Sequence, residues 1–334
     1  MGFAWSRGGH ELWYVENAVL RAVDLSGRGR AVQSLGAPAF LFDVSSEGRV
    51  LVSYWRSDAR VRGHAPGDPA DRDLTALNFF ALALSPDGQF LLGRDYKLGH
   101  PLLVSLRGGD PVNLGELGRP AGSAVDLSTG GKRVLFLEPG PPARLVEVPT
   151  GAGEPRPLPL GTVEPASAAW FSDGVTVLIL GHEPGRPNRL FVKRPTDTTP
   201  RPVTPEGTPV GSFAASPDGA WVAVHETSRL RCYPVAGGEP RDVPAYEGHD
   251  VLLGWGDGGR TLYLRRDPDA LAAPARVFRL DVQSGRQTPW KELLPPDRVA
   301  LMFVNQVHLA REGQAWVYRY VRNLHDLYIV DGLK

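Results

Sequence analysis

The residues that could do chemistry are few and widely spaced in this chain of 334 residues. Its one cysteine, Cys232, can form neither an internal disulfide nor a thiolate metal cluster, and its strand-like surroundings predict a buried apolar role. The eight histidines fall in separate regions, and no two have the spacing of a metal-ligand pair. They are His10, His64, His100, His182, His225, His249, His308 and His325.

The motifs of known enzyme classes are absent from the sequence. No G-x-S-x-G nucleophile elbow occurs. His10-Glu11 is followed by Leu12-Trp13-Tyr14, which breaks the H-E-x-x-H pattern of zinc proteases. Gly131-Lys132 is followed by Arg133 and lacks the upstream glycine of a phosphate-binding loop, and the protein-kinase motifs are missing. We therefore predict no catalytic residues, no cofactor and no enzymatic activity.

Charge and hydropathy exclude further classes. Basic and acidic residues number 37 each, and no run of five or more lysines and arginines occurs, so a nucleic-acid-binding surface is not expected. No stretch approaches eighteen continuous apolar residues, so we expect no membrane span. The start, Met1-Gly2-Phe3-Ala4-Trp5, lacks the charged and apolar regions of a signal peptide. We expect a soluble chain.

A tight turn recurs along the whole chain, and its most regular copy is Ser216-Pro217-Asp218-Gly219. Proline presets the backbone of the second position, aspartate bonds to the local backbone, and glycine adopts the positive φ that other residues resist. Short apolar segments flank the turn, which predicts a β-hairpin. With the turn glycine as the marker, eight copies occur at an average spacing of about 43 residues, at Gly9, Gly48, Gly88, Gly131, Gly174, Gly219, Gly259 and Gly313.

This period is typical of β-propeller blades, in which strands A, B, C and D follow one another and the tight turn joins A to B. We predict an all-β propeller of four-stranded antiparallel blades, eight in number with seven as the alternative, in one domain over residues 1–334. The repeat units are approximately 1–37, 38–78, 79–119, 120–163, 164–207, 208–247, 248–298 and 299–334. Because strand D of the eighth unit is missing, we expect a three-stranded last blade or a chain cut from a longer protein.

Trp5, Trp170 and Trp255 occupy equivalent positions in strand A of their repeats. We expect them to pack between neighbouring blades, with stacking on a ligand in the central channel as the alternative. The channel also leaves a metal hypothesis open, because a propeller could bring scattered histidines together at its axis.

The loops after strands B and D lie on one face of a propeller, and loops on a rigid scaffold commonly carry function. The longest B–C connections span residues 181–188 and 265–274, and both combine charged side chains with proline-stiffened backbone. We predict that binding uses charged and polar residues of these loops, namely His182, Arg186, Asn188, Arg265, Arg266, Asp267 and Asp269. Solvated loops without a role are the alternative for each residue.

The Ser-Pro-Asp-Gly hairpins resemble the repeats of TolB-type, WD-like propellers. A second resemblance covers nearly the whole chain and rests on the segments VPTGAGEPRPL at 148–158, GSFAASPDG at 211–219, WKELLPPD at 290–297 and DLYIVDGLK at 326–334. These look like the C-terminal propeller region of bacterial membrane-associated serine/threonine protein kinases. The turns at 6–9 and 172–174 depart from the usual form. In that family a kinase domain and usually a membrane helix precede the repeats, and no established ligand residues come with the resemblance.

The resemblance implies a non-catalytic module that binds, senses or scaffolds, as the C-terminal regulatory part of a bacterial kinase. The compartment stays open, and the extracytoplasmic part of a membrane-anchored bacterial protein is one alternative. The expected partner is a protein, a peptide or a small ligand. We expect no nucleic acid and no membrane insertion by this chain. Two alternatives are enzymatic, namely the substrate-gating propeller of a prolyl-oligopeptidase-like peptidase and a propeller enzyme with a metal in its central channel.

Overall fold

The computed structural model describes residues 2–75, 79–95, 99–115, 123–246, 248–266 and 273–333. This part of the chain consists of β-strands, turns and three short 3₁₀-helices, at Thr129–Gly131, Asp257–Gly259 and Arg311–Gly313. No helix within these ranges combines the length and the apolar character that crossing a bilayer requires. The prediction of an all-β fold is confirmed.

The strands vary in length from two to fifteen residues. In chain order they are β1 (Phe3–Trp5), β2 (Glu11–Glu16), β3 (Val19–Asp24), β4 (Gly29–Ser34), β5 (Ala39–Val44), β6 (Val50–His64), β7 (Arg72–Asp73), β8 (Phe79–Leu84), β9 (Phe90–Asp95), β10 (Pro101–Ser105), β11 (Val112–Asn113), β12 (Ser123–Leu127), β13 (Arg133–Glu138), β14 (Arg144–Pro149), β15 (Arg156–Pro157), β16 (Glu164–Trp170), β17 (Val177–His182), β18 (Arg189–Lys193), β19 (Arg201–Pro202), β20 (Val210–Ala215), β21 (Trp221–Glu226), β22 (Arg229–Pro234), β23 (Arg241–Asp242), β24 (Val251–Gly256), β25 (Thr261–Arg266), β26 (Ala275–Asp281), β27 (Gln287–Leu293), β28 (Leu301–Leu309) and β29 (Trp316–Val330).

These strands form seven sheets in the described ranges. Six of them have four antiparallel strands, namely β1–β4, β8–β11, β12–β15, β16–β19, β20–β23 and β24–β27. The seventh joins β28, β29, β6 and β5 in that order, with β7 paired to β6. The prediction of a propeller built from four-stranded antiparallel sheets is confirmed, and all eight A–B hairpins of the repeat form in this part of the chain.

The turn between β20 and β21 shows why this sequence makes a hairpin. The N–H of Gly219 donates to the carbonyl oxygen of Ser216 over 2.9 Å, and the positive φ of Gly219, 70°, closes the turn. The Ser216 hydroxyl accepts from the N–H of Trp221 over 2.9 Å, and the Asp218 carboxylate accepts from the N–H of Ala220 over 3.0 Å. The two side chains thus satisfy local backbone donors, which stabilises the turn.

The chain divides into two compact units. Unit 1 consists of Met1–Asp58, Val299–Leu301 and Val321–Lys334, and unit 2 of Ala59–Arg298 and Met302–Tyr320. Unit 1 contains the sheet β1–β4, the hairpin of β5 with the first part of β6, and the last part of β29. Its buried core includes the side chains of Trp13, Leu20, Leu41, Val50 and Val52.

Unit 2 is a closed ring of six sheets. Five are the complete sheets from β8–β11 to β24–β27, and the sixth combines β28 and the first part of β29 with the last part of β6 and β7. Apolar clusters fill the spaces between neighbouring sheets, and one of them includes Val61, Ala81 and Val317. On the other side of the sixth sheet, the Tyr263 hydroxyl donates to the carbonyl oxygen of Glu312 over 3.1 Å. The ring is therefore packed on both sides of the sheet that closes it.

The expected three-stranded last blade does not form. The eighth repeat has one continuous strand, β29, where separate strands B and C were expected, and the second repeat has β6 in the same role. Each of these strands passes from one unit into the other. The last part of β6 and β7 therefore complete the sheet that β28 and β29 begin. The physical reason is that an incomplete sheet leaves an apolar face and an unpaired backbone edge, which further strands cover.

The equivalent tryptophans of strand A have different surroundings. Trp170 and Trp255, in unit 2, are each 7% exposed and pack against the preceding sheet, as predicted. Trp5, in unit 1, is 54% exposed, so the packing prediction is wrong for this residue. The exposed phenylalanine, tryptophan and tyrosine side chains of the described residues all belong to unit 1, and they are Phe3, Trp5, Phe40, Phe42, Trp55 and Tyr328.

Candidate functional site

In the ring of unit 2, polar side chains of one strand A bond to the backbone of the next strand A. The Gln306 side-chain oxygen accepts from the N–H of Ala81 over 3.1 Å, and Nε2 of His308 lies 3.3 Å from the carbonyl oxygen of Ala81. The Asp126 carboxylate accepts from the N–H of Trp170 over 2.6 Å. These side chains satisfy backbone groups at the inner strand edges, which have no further strand to pair with. Their role is structural.

Burial shifts the pKa of two of these inner-edge groups. It raises the pKa of Asp126 to about 6, although backbone N–H groups of Trp170 and Leu127 favour the charged form. It lowers the pKa of His308 to about 4, against the effect of the Ala81 carbonyl and with a further lowering by the positive charge of Arg265. Both groups are therefore partly or fully neutral near pH 5, in keeping with a place among packed strands.

The described ranges contain no group of three or more His, Cys, Asp or Glu side chains placed to hold a metal ion. Of the eight histidines, His308 is bonded to a neighbouring strand, and His225 bonds through Nε2 to the carbonyl oxygen of Gly248 over 3.0 Å. His64 stacks on Trp316 with 4.1 Å between ring centroids. These three histidines thus have packing or hydrogen-bonding partners within the protein.

The structure brings His182, Arg186 and Asn188 together at one loop, between β17 and β18. His182 ends β17 and lies half-buried, while Arg186 and Asn188 are exposed. The Arg186 guanidinium pairs over 2.6 Å with Glu206, which lies in the connection after β19. The Asn188 carbonyl accepts from the N–H of Gly207 over 3.0 Å, in the same connection. This B–C loop and the following D–A connection are therefore held side by side.

Arg265 and Arg266 are the last two residues of β25 and are not loop residues. Arg265 is 5% exposed, and its Nη2 lies 3.4 Å from the carbonyl oxygen of Val304. Arg266 is exposed and lies 3.5 Å from the carboxylate of Asp250. The other two predicted residues, Asp267 and Asp269, lie outside the described residues.

A groove of about 410 Å³ lies beside the loop between β17 and β18, and we call it the proline groove. Its apolar lining includes Pro142, Leu145, Leu158, Leu160, Val163 and Pro184. Arg144 and Glu164 also line it, and Glu164 stands opposite His182 in the pairing of β16 with β17. Sequence reasoning found one border of this groove, at 181–188, and missed the connection at 158–163. The one proline of that connection, Pro159, is the signal that could have marked it.

Cys232 is 7% exposed on β22, which agrees with the buried role predicted for it. Burial raises the pKa of its thiol to about 11, with the positive charge of Arg241 acting in the opposite direction. Because the thiolate is the reactive form, we expect folded protein at pH 8 to react with a disulfide reagent at least ~100-fold more slowly than protein unfolded in urea. Reagent absorbance measures both rates. Rapid stoichiometric labelling of the folded protein would contradict this expectation.

The chain is similar to solved propeller structures. A TolB-type protein from Agrobacterium tumefaciens aligns with a TM-score of 0.58 and 16% identity, over 80% of this chain and 99% of that chain. This chain has a TolB-like propeller fold. A chain of the nidogen/laminin complex aligns with this chain at a TM-score of 0.51 and 12% identity, over 72% of this chain and 94% of that chain. TolB from Acinetobacter baumannii aligns with a TM-score of 0.47 and 11% identity, over 97% of this chain and 65% of that chain.

The sequence comparisons do not extend this similarity. No family model matches this sequence, and no curated protein matches it. At identities of 12–16%, the similarity of the first two structures concerns the fold alone.

Proposed function

We propose that this chain is a non-catalytic binding module whose proline groove takes a short apolar segment of a protein or peptide partner. The groove itself carries the proposal. It offers about 410 Å³ with an apolar lining, and Arg144 and Glu164 supply one positive and one negative group. An apolar cleft with a few polar groups is the usual form of a binding site, and the polar groups fix the orientation of the bound segment.

The loop beside the groove supports the proposal because ion pairs join it to the neighbouring D–A connection. Arg189 pairs with Glu183 and also lies 3.5 Å from Glu206, which in turn pairs with Arg186. Exposed ion pairs add little stability one by one. Together they order the B–C loop and the D–A connection before binding, so less conformational entropy is lost when a partner docks.

Filling the groove tests this function. Thr162 is exposed in the proline groove, and Thr198 is exposed in the turn between β18 and β19. Peptides selected by display against the unmodified protein are expected to lose at least ~10-fold in affinity for Thr162→Arg, because the long side chain occupies the groove. The matched variant Thr198→Arg should bind them unchanged. Isothermal titration calorimetry measures both affinities, and equal binding by the two variants would refute the groove as the site.

The resemblance to kinase propeller regions supports a finer proposal, in which this module is the regulatory part of a bacterial serine/threonine kinase. Reading the gene upstream of these codons tests it. A kinase domain in the same reading frame is the expected finding. A downstream domain with a G-x-S-x-G motif would favour the gating role in a peptidase instead.

A further inference from the structure

A second groove, of about 350 Å³, lies between the sheets β12–β15 and β16–β19, and we call it the basic groove. Its lining includes four cationic side chains, of Arg133, Arg156, Lys193 and Arg194, and one carboxylate, of Glu147. Arg133 pairs with Glu147 over 3.1 Å, so these two charges compensate each other. Three positive charges in the lining then have no carboxylate of the same lining to compensate them.

Lys193 is the most deeply buried of these cations, at 5% exposure. Its ammonium donates to the carbonyl oxygen of Arg194 over 2.9 Å, and no ion pair joins it to a carboxylate of the described residues. An ammonium has three N–H donors, so two are left for other acceptors. A buried charge without a counter-charge is costly, and an anion in the groove would remove that cost.

The other two cations also lack a dedicated acidic partner. Arg156 stands opposite Glu147 in the pairing of β14 with β15, but the Glu147 carboxylate is bonded to Arg133. Arg194 interacts electrostatically with Asp173, whose carboxylate already accepts from the backbone and the hydroxyl of Thr176. Both guanidinium groups are therefore left with donors for an added anion.

The wall of the basic groove adds apolar surface and no further acidic group. Trp170, Val175 and Val177 form this wall. The buried indole N–H of Trp170 has no acceptor in the described part of the chain, whereas that of Trp255, at the equivalent position, donates to the Ala214 carbonyl over 2.9 Å. Buried N–H donors normally have an acceptor. The acceptor that Trp255 has is missing around the indole N–H of Trp170.

The corresponding groove around Trp255 shows that the positive charge is not a general feature of the repeat. That groove lies between β20–β23 and β24–β27, has a volume of about 370 Å³, and is lined by one cation, Arg241, and one carboxylate, Asp242. Asp242 pairs with Arg231 over 2.6 Å, and Arg241 stacks on Trp221 at 4.5 Å. The excess of uncompensated cations thus belongs to the pair of sheets that forms the basic groove.

We propose that the basic groove is a binding site for a phosphate group, either free phosphate or a phosphorylated side chain of a partner. A phosphate carries nearly two negative charges at neutral pH and several acceptor oxygens, which matches one ammonium and two guanidinium groups better than a monoanionic carboxylate does. This site adjoins the proline groove at Pro157 and Leu158, but its cations do not line that groove, so the proposal does not depend on it.

Calorimetric titration with three probes tests the site, namely inorganic phosphate, a phosphoserine peptide and the same peptide without phosphate. We expect inorganic phosphate or the phosphoserine peptide to bind at low ionic strength. The affinity should fall as salt is added, because exposed charges are screened. Arg156→Ala should weaken binding at least ~5-fold, and Lys193→Met more. Arg241→Ala is the matched control and should bind as the unmodified protein does. Circular dichroism establishes that each variant is folded.

The outcomes separate clearly. Phosphate binding alone assigns the site to free phosphate, and phosphopeptide binding assigns it to a phosphorylated partner; either supports the proposal. Absence of binding by both, equal binding of the unphosphorylated peptide, or full affinity in folded Arg156→Ala and Lys193→Met would overturn it. Peptide binding in the proline groove is tested separately by Thr162→Arg. A negative result at one site therefore does not contradict the proposal for the other.

Discussion

Trp255→Ala is expected to lower the free energy of unfolding by about 3–5 kcal/mol, because it removes a large core side chain and leaves a cavity. The indole is 7% exposed, belongs to the cluster with Leu262 and Leu264, and bonds to the Ala214 carbonyl. Trp5→Ala is the matched change at the equivalent position of the repeat. Because Trp5 is 54% exposed, the expected loss is less than about 1 kcal/mol. Urea unfolding followed by far-UV circular dichroism measures both values.

Trp255→Phe distinguishes the contribution of ring packing to stability from that of the indole hydrogen bond. Phenylalanine keeps part of the packing and loses the N–H donor, so the expected loss is about 1–2 kcal/mol, between those of the other two variants. Equal losses for Trp5→Ala and Trp255→Ala would contradict the difference in burial between the two positions.

His308 is expected to make the protein less stable in acid. Its folded pKa of about 4 lies below the ordinary value of 6.5, because burial disfavours the charged ring. The unfolded chain therefore takes up the proton first. The stabilisation is complete above pH 6.5 and is lost as the pH falls towards 4, with a magnitude of about 1–3 kcal/mol after allowance for partial exposure. His308→Gln keeps an amide donor without titrating, so its unfolding free energy should change less between pH 7 and 4.

Asp126 is expected to act in the opposite direction, which makes Asp126→Asn an informative control. Its folded pKa of about 6 is above the ordinary 3.8, so its stabilisation is complete below pH 3.8 and is lost as the pH rises through 6. Relative to the unmodified protein, Asp126→Asn should therefore gain more unfolding free energy at pH 7 than at pH 4. Urea titrations of the three proteins at several pH values provide the comparison. Parallel pH profiles for all three would show that folding shifts the pKa of neither group, which would contradict both expectations.

The two grooves lie on the same pair of sheets, β12–β15 and β16–β19, and both include Pro157 and Leu158 in their lining. The proline groove is bordered by the B–C loop that contains Pro184, whereas the basic groove extends to Val175, near the A–B turn, and to Pro195 in the C–D turn. A partner with an apolar segment would use the first, and a phosphate group the second. The proposed functions thus concentrate on one part of unit 2.

Much of the fold could be predicted because its determinants are local. Ser216, Asp218 and Gly219 satisfy and shape their own turn, so eight copies of such a turn were enough to predict eight hairpins and the propeller class. The candidate site was only partly predictable. The loop with Arg186 stood out by its length and charge, but its ion pair with Glu206 joins residues 20 apart in sequence. The basic groove was not predicted, because its cations come from several strands and from two sheets.

Local sequence is sufficient to specify the hairpins, their period and the equivalent positions of Trp5, Trp170 and Trp255, since each depends on neighbouring residues in one turn or strand. The way in which distant strands combine is visible only in the tertiary structure. It placed the last part of β6 and β7 in one sheet with β28 and β29, buried Trp255 and left Trp5 exposed. It also brought Lys193 and Arg156 into one groove. Such contacts depend on which apolar faces and strand edges remain uncovered once the local hairpins have formed, and only packing of the whole chain settles that.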